Sequence, residues 1–169
     1  MPPDRSSMSL LESLYREHGA ALVLFAAVLM GDRDSGQDAI HRVFTKLLQE
    51  GSLGRARNLK AYLFACVRNA VLNEIKTRDR HIEIDAAAPW FISPAHDLAE
   101  EMTLRSALSE LPEDQREIVV LHIWGELTFG EVAALLEVSP NTAASRYRYA
   151  LTRLREVMRT KEETRASPR

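Results

Sequence analysis

The stretch VSPNTAASRYRYALTRLREV, from Val138 to Val157, decides the fold of the C-terminal half of the chain. Ser139 belongs to the residue types that cap the N-termini of helices, and Pro140 suits the first helical position. Apolar side chains then recur at intervals of three and four residues, which predicts one long helix. The buried side of this helix is predicted to carry Ala144, Tyr147, Leu151, Leu154 and Met158.

A shorter predicted helix, Thr128–Leu136, precedes it, and Thr128 and Glu131 have the spacing of a capping box. The turn between the two helices is only a few residues long, which is typical of a helix-turn-helix. In that motif the N-terminal end of the second helix enters the major groove of DNA, where arginine pairs with guanine and asparagine with adenine. We therefore predict a DNA-reading face made of Asn141, Thr142, Ser145, Arg146, Arg148 and Tyr149.

The charges of the chain are distributed in blocks. The formal net charge is only -2, but residues 55–80 contain seven basic and two acidic side chains, and residues 139–161 contain six and one. Between these basic blocks, residues 81–117 contain nine acidic and two basic side chains. Two separated basic blocks are compatible with an anionic ligand that has two parts, although solvated helix faces would give the same pattern.

Composition excludes several classes of protein. The chain has 169 residues, 46% of them hydrophobic and 27% charged, which is a globular balance. A single cysteine, Cys66, excludes an internal disulfide, and we interpret it as a structural thiol in a reducing compartment. The five histidines lack metal-ligand spacing, and His122 is interpreted as a core or interface residue. With no phosphate loop and no paired nucleophile and base, we predict no enzymatic activity, no metal and no cofactor.

The N-terminus indicates a cytoplasmic protein without membrane insertion. It lacks the basic and apolar regions of a signal peptide. The longest uncharged apolar run, Ala20–Met30, has eleven residues and is too short to span a bilayer, so a buried helix is predicted there.

Helical periodicity also dominates the N-terminal half, where no stretch alternates as a strand would. The first helix is predicted to be capped by Ser9, with Glu12 completing a capping box, and to end at Gly31–Asp34. A second helix is predicted from about Ser35 to Gln49, and a third from Leu59 to about Arg80.

The periodicity lapses after the third helix, in a segment that contains two prolines. We interpret residues 81–103 as a linker between two small helical domains, residues 8–80 and residues 104–160. The predicted fold class is therefore all-α, with the helix-turn-helix in the second domain.

Three stretches of the chain resemble one family, the extracytoplasmic-function (ECF) class of bacterial RNA polymerase sigma factors. GDRDSGQDAIHRVFTKLLQ, residues 31–49, and LKAYLFACVRNAVLNEIKTRDR, residues 59–80, are similar to sigma region 2. LPEDQREIVVLHIWGELTFGEVAALLEVSPNTAASRYRYALTRLREVM, residues 111–158, is similar to sigma region 4 and is the more specific match. The resemblance covers about Leu10 to Met158 and implies a factor that binds core RNA polymerase and directs promoter-specific transcription initiation.

The resemblance also implies which residues bind the polymerase and the promoter. The second helix would dock on a coiled coil of the largest polymerase subunit through Asp38, His41, Arg42 and Thr45. The predicted loop Glu50–Asn58 and the third helix would hold the minus-ten element as a melted strand. The residues concerned are Arg57, Asn58, Arg68, Asn69, Asn73, Lys76 and Arg78. The last helix would read the minus-thirty-five element as duplex, and an anti-sigma factor is a further partner that the class implies.

The sequence departs from the family pattern at three positions. Arg42 stands where the family has an acidic residue, Leu48 where it has tryptophan and Asn73 where it has aspartate. Two alternative functions stay open at this point: a stand-alone helix-turn-helix regulator of transcription, and a sigma-like mimic that binds an anti-sigma factor.

Overall fold

The computed structural model describes residues 5–77 and 106–166, and both parts are helical with no strand in either. The chain divides into two compact units between Pro94 and Ala95. The first unit contains α1 (Arg5–Met30), α2 (Arg33–Glu50), a short 3-10 turn (Ser52–Arg55) and α3 (Leu59–Thr77). In the second unit residues 106–109 are helical and are followed by α4 (Glu113–Val119), a π-helical turn (Val120–Trp124), α5 (Phe129–Leu136) and α6 (Pro140–Ala166). The all-α prediction is confirmed, whereas the predicted linker at 81–103 lies outside the described residues.

Each of the three described helices of the N-terminal unit contributes a fully buried phenylalanine to the core. Phe25, Phe44 and Phe64 are fully buried. The rings of Phe25 and Phe64 meet edge to face with their centroids 5.7 Å apart, and Tyr15 meets Phe44 in the same way at 5.5 Å. Such pairs stabilise a core beyond the burial of their area. These contacts fix α3 and α2 against α1.

The start of α1 differs from the prediction. The helix already includes Arg5, so Ser9 lies within it and the predicted capping box with Glu12 is wrong. No proline or glycine interrupts residues 5–9, and a serine inside a helix is tolerated when the surrounding residues continue it.

The apolar run of α1 is part of this core. By length and composition α1 is apolar enough to cross a membrane, but 61% of its most apolar 18-residue window is buried inside the unit. Leu22, Val23, Leu24, Phe25, Ala26 and Ala27 are all buried. The prediction of a buried helix is thus confirmed for this segment.

The junction between α1 and α2 is tight. Gly31 adopts a left-handed φ of 88° after α1, and Asp32 caps α2 by accepting a hydrogen bond from the backbone N–H of Ser35 at 2.7 Å. One turn later Gly36 is buried against α1, where a Cβ atom would lie 2.6 Å from the backbone nitrogen of Ala27. Only glycine permits this approach of the two helix backbones.

In the C-terminal unit, Arg116 of α4 binds the backbone at the end of the preceding helical segment. Its guanidinium donates hydrogen bonds to the backbone carbonyls of Leu108, Ser109 and Leu111, at 2.9, 3.0 and 2.8 Å. Carbonyls at the end of a helix lack a partner in the next turn of that helix. A side chain that donates to them therefore stabilises the end of the segment.

The helix-turn-helix is confirmed by its caps. The Thr128 hydroxyl accepts a hydrogen bond from the Glu131 N–H at 3.2 Å, and the Glu131 carboxylate accepts one from the Thr128 N–H at 2.8 Å. Glu137 ends α5 in the left-handed region, with a φ of 58°. Ser139 then caps α6 by accepting a hydrogen bond from the Thr142 N–H at 3.1 Å.

Candidate nucleic-acid and polymerase-binding surfaces

The helix α6 packs on the rest of its unit through small residues. Ala143 and Ala150 are fully buried, two turns apart, and bring the α6 backbone close to the neighbouring helices. The predicted buried residues Ala144, Tyr147, Leu151 and Leu154 are half-buried at the sides of this contact. Met158 is 54% exposed, so its predicted burial is wrong. It lies about five turns beyond the start of the helix at Pro140.

The opposite face of α6 is exposed and polar. Asn141, Arg148 and Tyr149 are exposed, and Tyr149 is 69% accessible to solvent in spite of its aromatic ring. Ser145 lies on the same face, and its hydroxyl accepts a hydrogen bond from the Arg148 guanidinium at 3.4 Å. Thr142 is half-buried, and its hydroxyl accepts a hydrogen bond from the Ser139 hydroxyl at 2.9 Å, so it belongs partly to the cap.

Arg146, which the sequence places with these residues, lies at the edge of the face instead. Its Nε atom is 3.2 Å from Oδ2 of Asp114 on α4, and the two side chains are 34% and 49% exposed. Sequence reasoning did not find Asp114, because it is 32 positions away and no periodicity connects it with α6.

An aromatic cluster fixes the angle between α5 and α6. The ring of His122, in the π-helical turn, stacks on Phe129 with centroids 4.2 Å apart and meets Tyr147 edge-on at 4.8 Å. The Nδ1 atom of His122 lies 2.8 Å from the carbonyl oxygen of Leu127. The interpretation of His122 as an interface residue is confirmed, since this side chain joins the start of α5 to the second turn of α6.

In the N-terminal unit, α3 presents a second polar face. Asn69, Asn73 and Lys76 are exposed at spacings of four and three residues, which places them on one side of the helix, and Arg68 is half-buried beside them. Arg57 and Asn58 are exposed just before α3, where the Asn58 side chain accepts a hydrogen bond from the Ala61 N–H at 3.1 Å. Arg78 lies outside the described residues. The α3 surface is thus a polar and basic strip that begins at the turn.

The α2 residues predicted to bind polymerase differ in exposure. Asp38 is exposed, whereas His41, Arg42 and Thr45 are half-buried. Arg42 forms an ion pair with Glu74 of α3. The positive charge at the position where the family pattern has an acid is therefore neutralised from within the unit, by a residue that the sequence did not single out.

Cys66 is a half-buried thiol on α3. Burial raises the pKa of the Cys66 thiol, a hydrogen bond to Tyr62 opposes this, and the group is half-buried rather than fully buried. Among residues 5–77 and 106–166, no group of three or more histidine, cysteine and carboxylate side chains is placed to hold a metal ion.

Both described parts of the chain match families of known proteins. Residues 14–81 match the family described as Sigma-70 region 2, and residues 101–154 match Sigma-70, region 4. The ECF RNA polymerase sigma factor EcfG of Rhodopseudomonas palustris is 30% identical over 158 residues, which cover 87% of this chain and 86% of that protein. This chain belongs to the ECF sigma factors. It is a promoter-directing sigma factor, and the two families place its α2 and α3 in region 2 and its helix-turn-helix in region 4.

Other relatives of this sigma factor agree. The ECF sigma factor SigL of Mycobacterium tuberculosis is 24% identical over 158 residues, 87% of this chain and 88% of that protein. The solved structure of the sigma factor RpoE with the anti-sigma factor NepR, from Bartonella quintana, matches with a TM-score of 0.68 and 26% identity, over 89% of this chain and 97% of that one. A match to region 2 disfavours a stand-alone regulator, and relatives that are sigma factors along most of the chain disfavour a mimic. Sigma factors are in general non-enzymatic regulators.

Proposed function

We propose that the exposed face of α6 reads the minus-thirty-five element as duplex DNA. The observation that carries this proposal is the separation of roles around α6: Ala143 and Ala150 face the unit, while Asn141, Arg148 and Tyr149 face solvent. These exposed residues lie in the first three turns of the helix, the part that enters the major groove in a helix-turn-helix. Their amide and guanidinium groups match the adenine and guanine edges.

The strip on α3 holds the minus-ten element as a melted strand in this proposal. Asn69, Asn73 and Lys76 share one exposed face, and Arg57 and Asn58 extend it to the start of the helix. Amide groups can bond unpaired base edges, and the basic groups track phosphates. Arg68 belongs to the same proposed surface, and Arg78, which lies outside the described residues, is proposed to bind the same strand. Because Asn58 also caps α3, its replacement would affect the helix as well as DNA.

In the proposed complex α2 docks on a coiled coil of the largest polymerase subunit. Asp38 is the exposed charged residue among the four predicted docking residues, and His41 and Thr45 are half-buried. Arg42 acts through its ion pair with Glu74, by holding α2 on α3, rather than as a free cation. We infer that the chain works in the cytoplasm without chemistry or a cofactor of its own, with domains close to residues 8–80 and 104–160. An anti-sigma factor is a further proposed partner, as in the RpoE–NepR complex.

The role of α6 is tested by Arg148→Ala. The full chain is assembled with its cognate core polymerase, transcript starts are mapped on a genomic fragment library, and the shared minus-thirty-five motif is then varied base by base. We expect the variant to lose discrimination between the correct and other bases at one base pair. The expected loss of binding free energy is about 1–3 kcal/mol, the magnitude of a bidentate contact. The matched control is Arg155→Ala, an exposed arginine on the same face two turns further along. Equal, base-independent losses in both variants would mean that Arg148 contacts phosphate only.

The role of α2 is tested by Asp38→Ala. Loss of one charged contact at the rim of an interface is expected to weaken core polymerase binding by about 1–2 kcal/mol, measured as the dissociation constant of the full chain and core enzyme. Asp34→Ala removes another exposed carboxylate of α2, one turn earlier, and serves as the control for the loss of one charge. Unchanged affinity in Asp38→Ala would contradict its docking role, and the same small change in both variants would show a general effect of charge.

A further inference from the structure

Asp114 carries a carboxylate that the structure places against the guanidinium of Arg146. Asp114 lies in the first turn of α4, and its Oδ2 atom is 3.2 Å from Nε of Arg146 in the second turn of α6. The pair joins two helices across 32 positions of sequence, and each side chain remains partly open to solvent. It therefore links the scaffold of the unit to the proposed DNA-reading helix.

The atoms of the pair matter for what Arg146 can still bind. A guanidinium carries five N–H donors in a rigid plane, one on Nε and two on each terminal nitrogen. A carboxylate at Nε leaves terminal N–H groups for a second, planar target with two acceptors, such as the O6 and N7 edge of guanine. An arginine already held in one orientation loses less conformational freedom when it binds.

The position of Asp114 has a second effect, on charge. A carboxylate in the first turn of α4 is favoured by the helix dipole, but Glu113 beside it is exposed and supplies the same interaction. Next to Arg146, the Asp114 charge also weakens the attraction of α6 for any phosphate backbone. Attraction to phosphates does not depend on base sequence, so an acid at this place reduces binding to incorrect DNA.

We propose that Asp114 is a positioning and specificity-determining residue of this sigma factor: it orients Arg146 toward one base pair of the minus-thirty-five element and lowers affinity for other duplexes. This inference rests on the proposed role of α6 in reading that element. Asp114 itself touches no base. Its effect on selectivity passes through Arg146, which gives the proposal a result that a purely structural ion pair would not produce.

The test uses the holoenzyme made from the full chain and cognate core polymerase. Affinity is measured for the mapped promoter, for variants of each minus-thirty-five base pair, and for a duplex without promoter sequence. In Asp114→Asn we expect discrimination at a single base pair to fall roughly 5- to 20-fold, within the range of one bidentate contact. Affinity for the non-promoter duplex is expected to rise roughly threefold, with a steeper dependence on salt.

Glu113→Gln is the matched control, since it removes the same charge one residue earlier; its discrimination is expected to equal that of the wild type. In an Arg146→Ala background, Asp114→Asn is expected to change discrimination no further. Arg146→Lys keeps the charge and loses the planar fork, so it should lose discrimination at the same base pair as Asp114→Asn, even if Asp114→Asn lowers the stability of the unit.

Equal discrimination in Asp114→Asn and Glu113→Gln overturns the proposal. The proposal also fails if Arg146→Ala alters discrimination at no base pair while Arg148→Ala alters it at one. That result leaves the proposed role of α6 intact. If neither arginine variant changes discrimination at any base pair, the reading role of α6 itself fails, and the inference fails with it.

Discussion

Gly36→Ala is expected to lower the free energy of unfolding of the N-terminal unit by about 3 kcal/mol, at the upper end of the range for overpacking a core. The added Cβ would lie 2.6 Å from the nitrogen and 2.8 Å from the Cα of Ala27, and both are backbone atoms that cannot rotate away. The steric overlap can be relieved only if α2 moves away from α1. Since α2 carries Asp38, core polymerase binding should weaken together with stability.

The matched control is Gly130→Ala in α5. A Cβ there meets only the Thr128 hydroxyl at 3.8 Å, an ordinary contact, so the better helix propensity of alanine should stabilise the C-terminal unit by about 0.5–1 kcal/mol. Both changes in the free energy of unfolding are measured by urea denaturation, with hydrogen exchange used to monitor each unit separately. Two variants of equal stability would contradict the close approach of α1 and α2.

Arg116→Lys is expected to destabilise the C-terminal unit by about 2–4 kcal/mol, although it keeps the charge. Three backbone carbonyls, of Leu108, Ser109 and Leu111, accept hydrogen bonds from the fork of Arg116. A lysine ammonium is a compact donor that cannot reach all three from one position. The Leu108 carbonyl keeps its hydrogen bond from the Leu111 N–H at 3.1 Å, but the carbonyls of Ser109 and Leu111 would lose the donor that Arg116 supplies.

Arg153→Ala provides the comparison for Arg116→Lys. Arg153 also donates to a carbonyl, that of Glu110 at 3.1 Å, but through one exposed bond, and its loss should change stability by less than about 0.5 kcal/mol. Hydrogen exchange of α4 to α6 in the full chain reports the effect. Protection that is as high in Arg116→Lys as in Arg153→Ala would show that the three-carbonyl contact is not needed.

The sequence predicted features that depend on neighbours along the chain. The capping box of Thr128 and Glu131 and the Ser139 cap are of this kind, because their partners lie within four residues. The helical type of α1 to α6 also follows from local periodicity, whereas the 3-10 turn at Ser52–Arg55 lies in a stretch predicted as a loop. The prediction of a capping box at Ser9 is wrong because a local pattern does not show where a helix begins. The residues before Ser9 continue α1 back to Arg5.

Features that join distant parts of the chain could not be predicted. The ion pair of Arg42 with Glu74 and that of Arg146 with Asp114 each cross 32 positions, and both change the interpretation of a residue selected from a local motif. The exposure of Met158 has a similar origin. Its spacing fits the apolar stripe of α6, but burial requires a neighbouring element that covers the side chain, and spacing carries no information about which side of α6 its neighbours cover.

The exposed face of α6 also bears on how promoter preference can change during evolution. Because Asn141, Arg148 and Tyr149 are exposed, substitutions there should leave folding almost unaffected, and new specificities can be tried without compensating changes. Arg146 differs, since its ion pair ties it to Asp114. A change in the base that Arg146 is proposed to read requires substitutions at both Arg146 and Asp114. The preference at that base pair should therefore change more slowly in evolution than the rest of the recognised sequence.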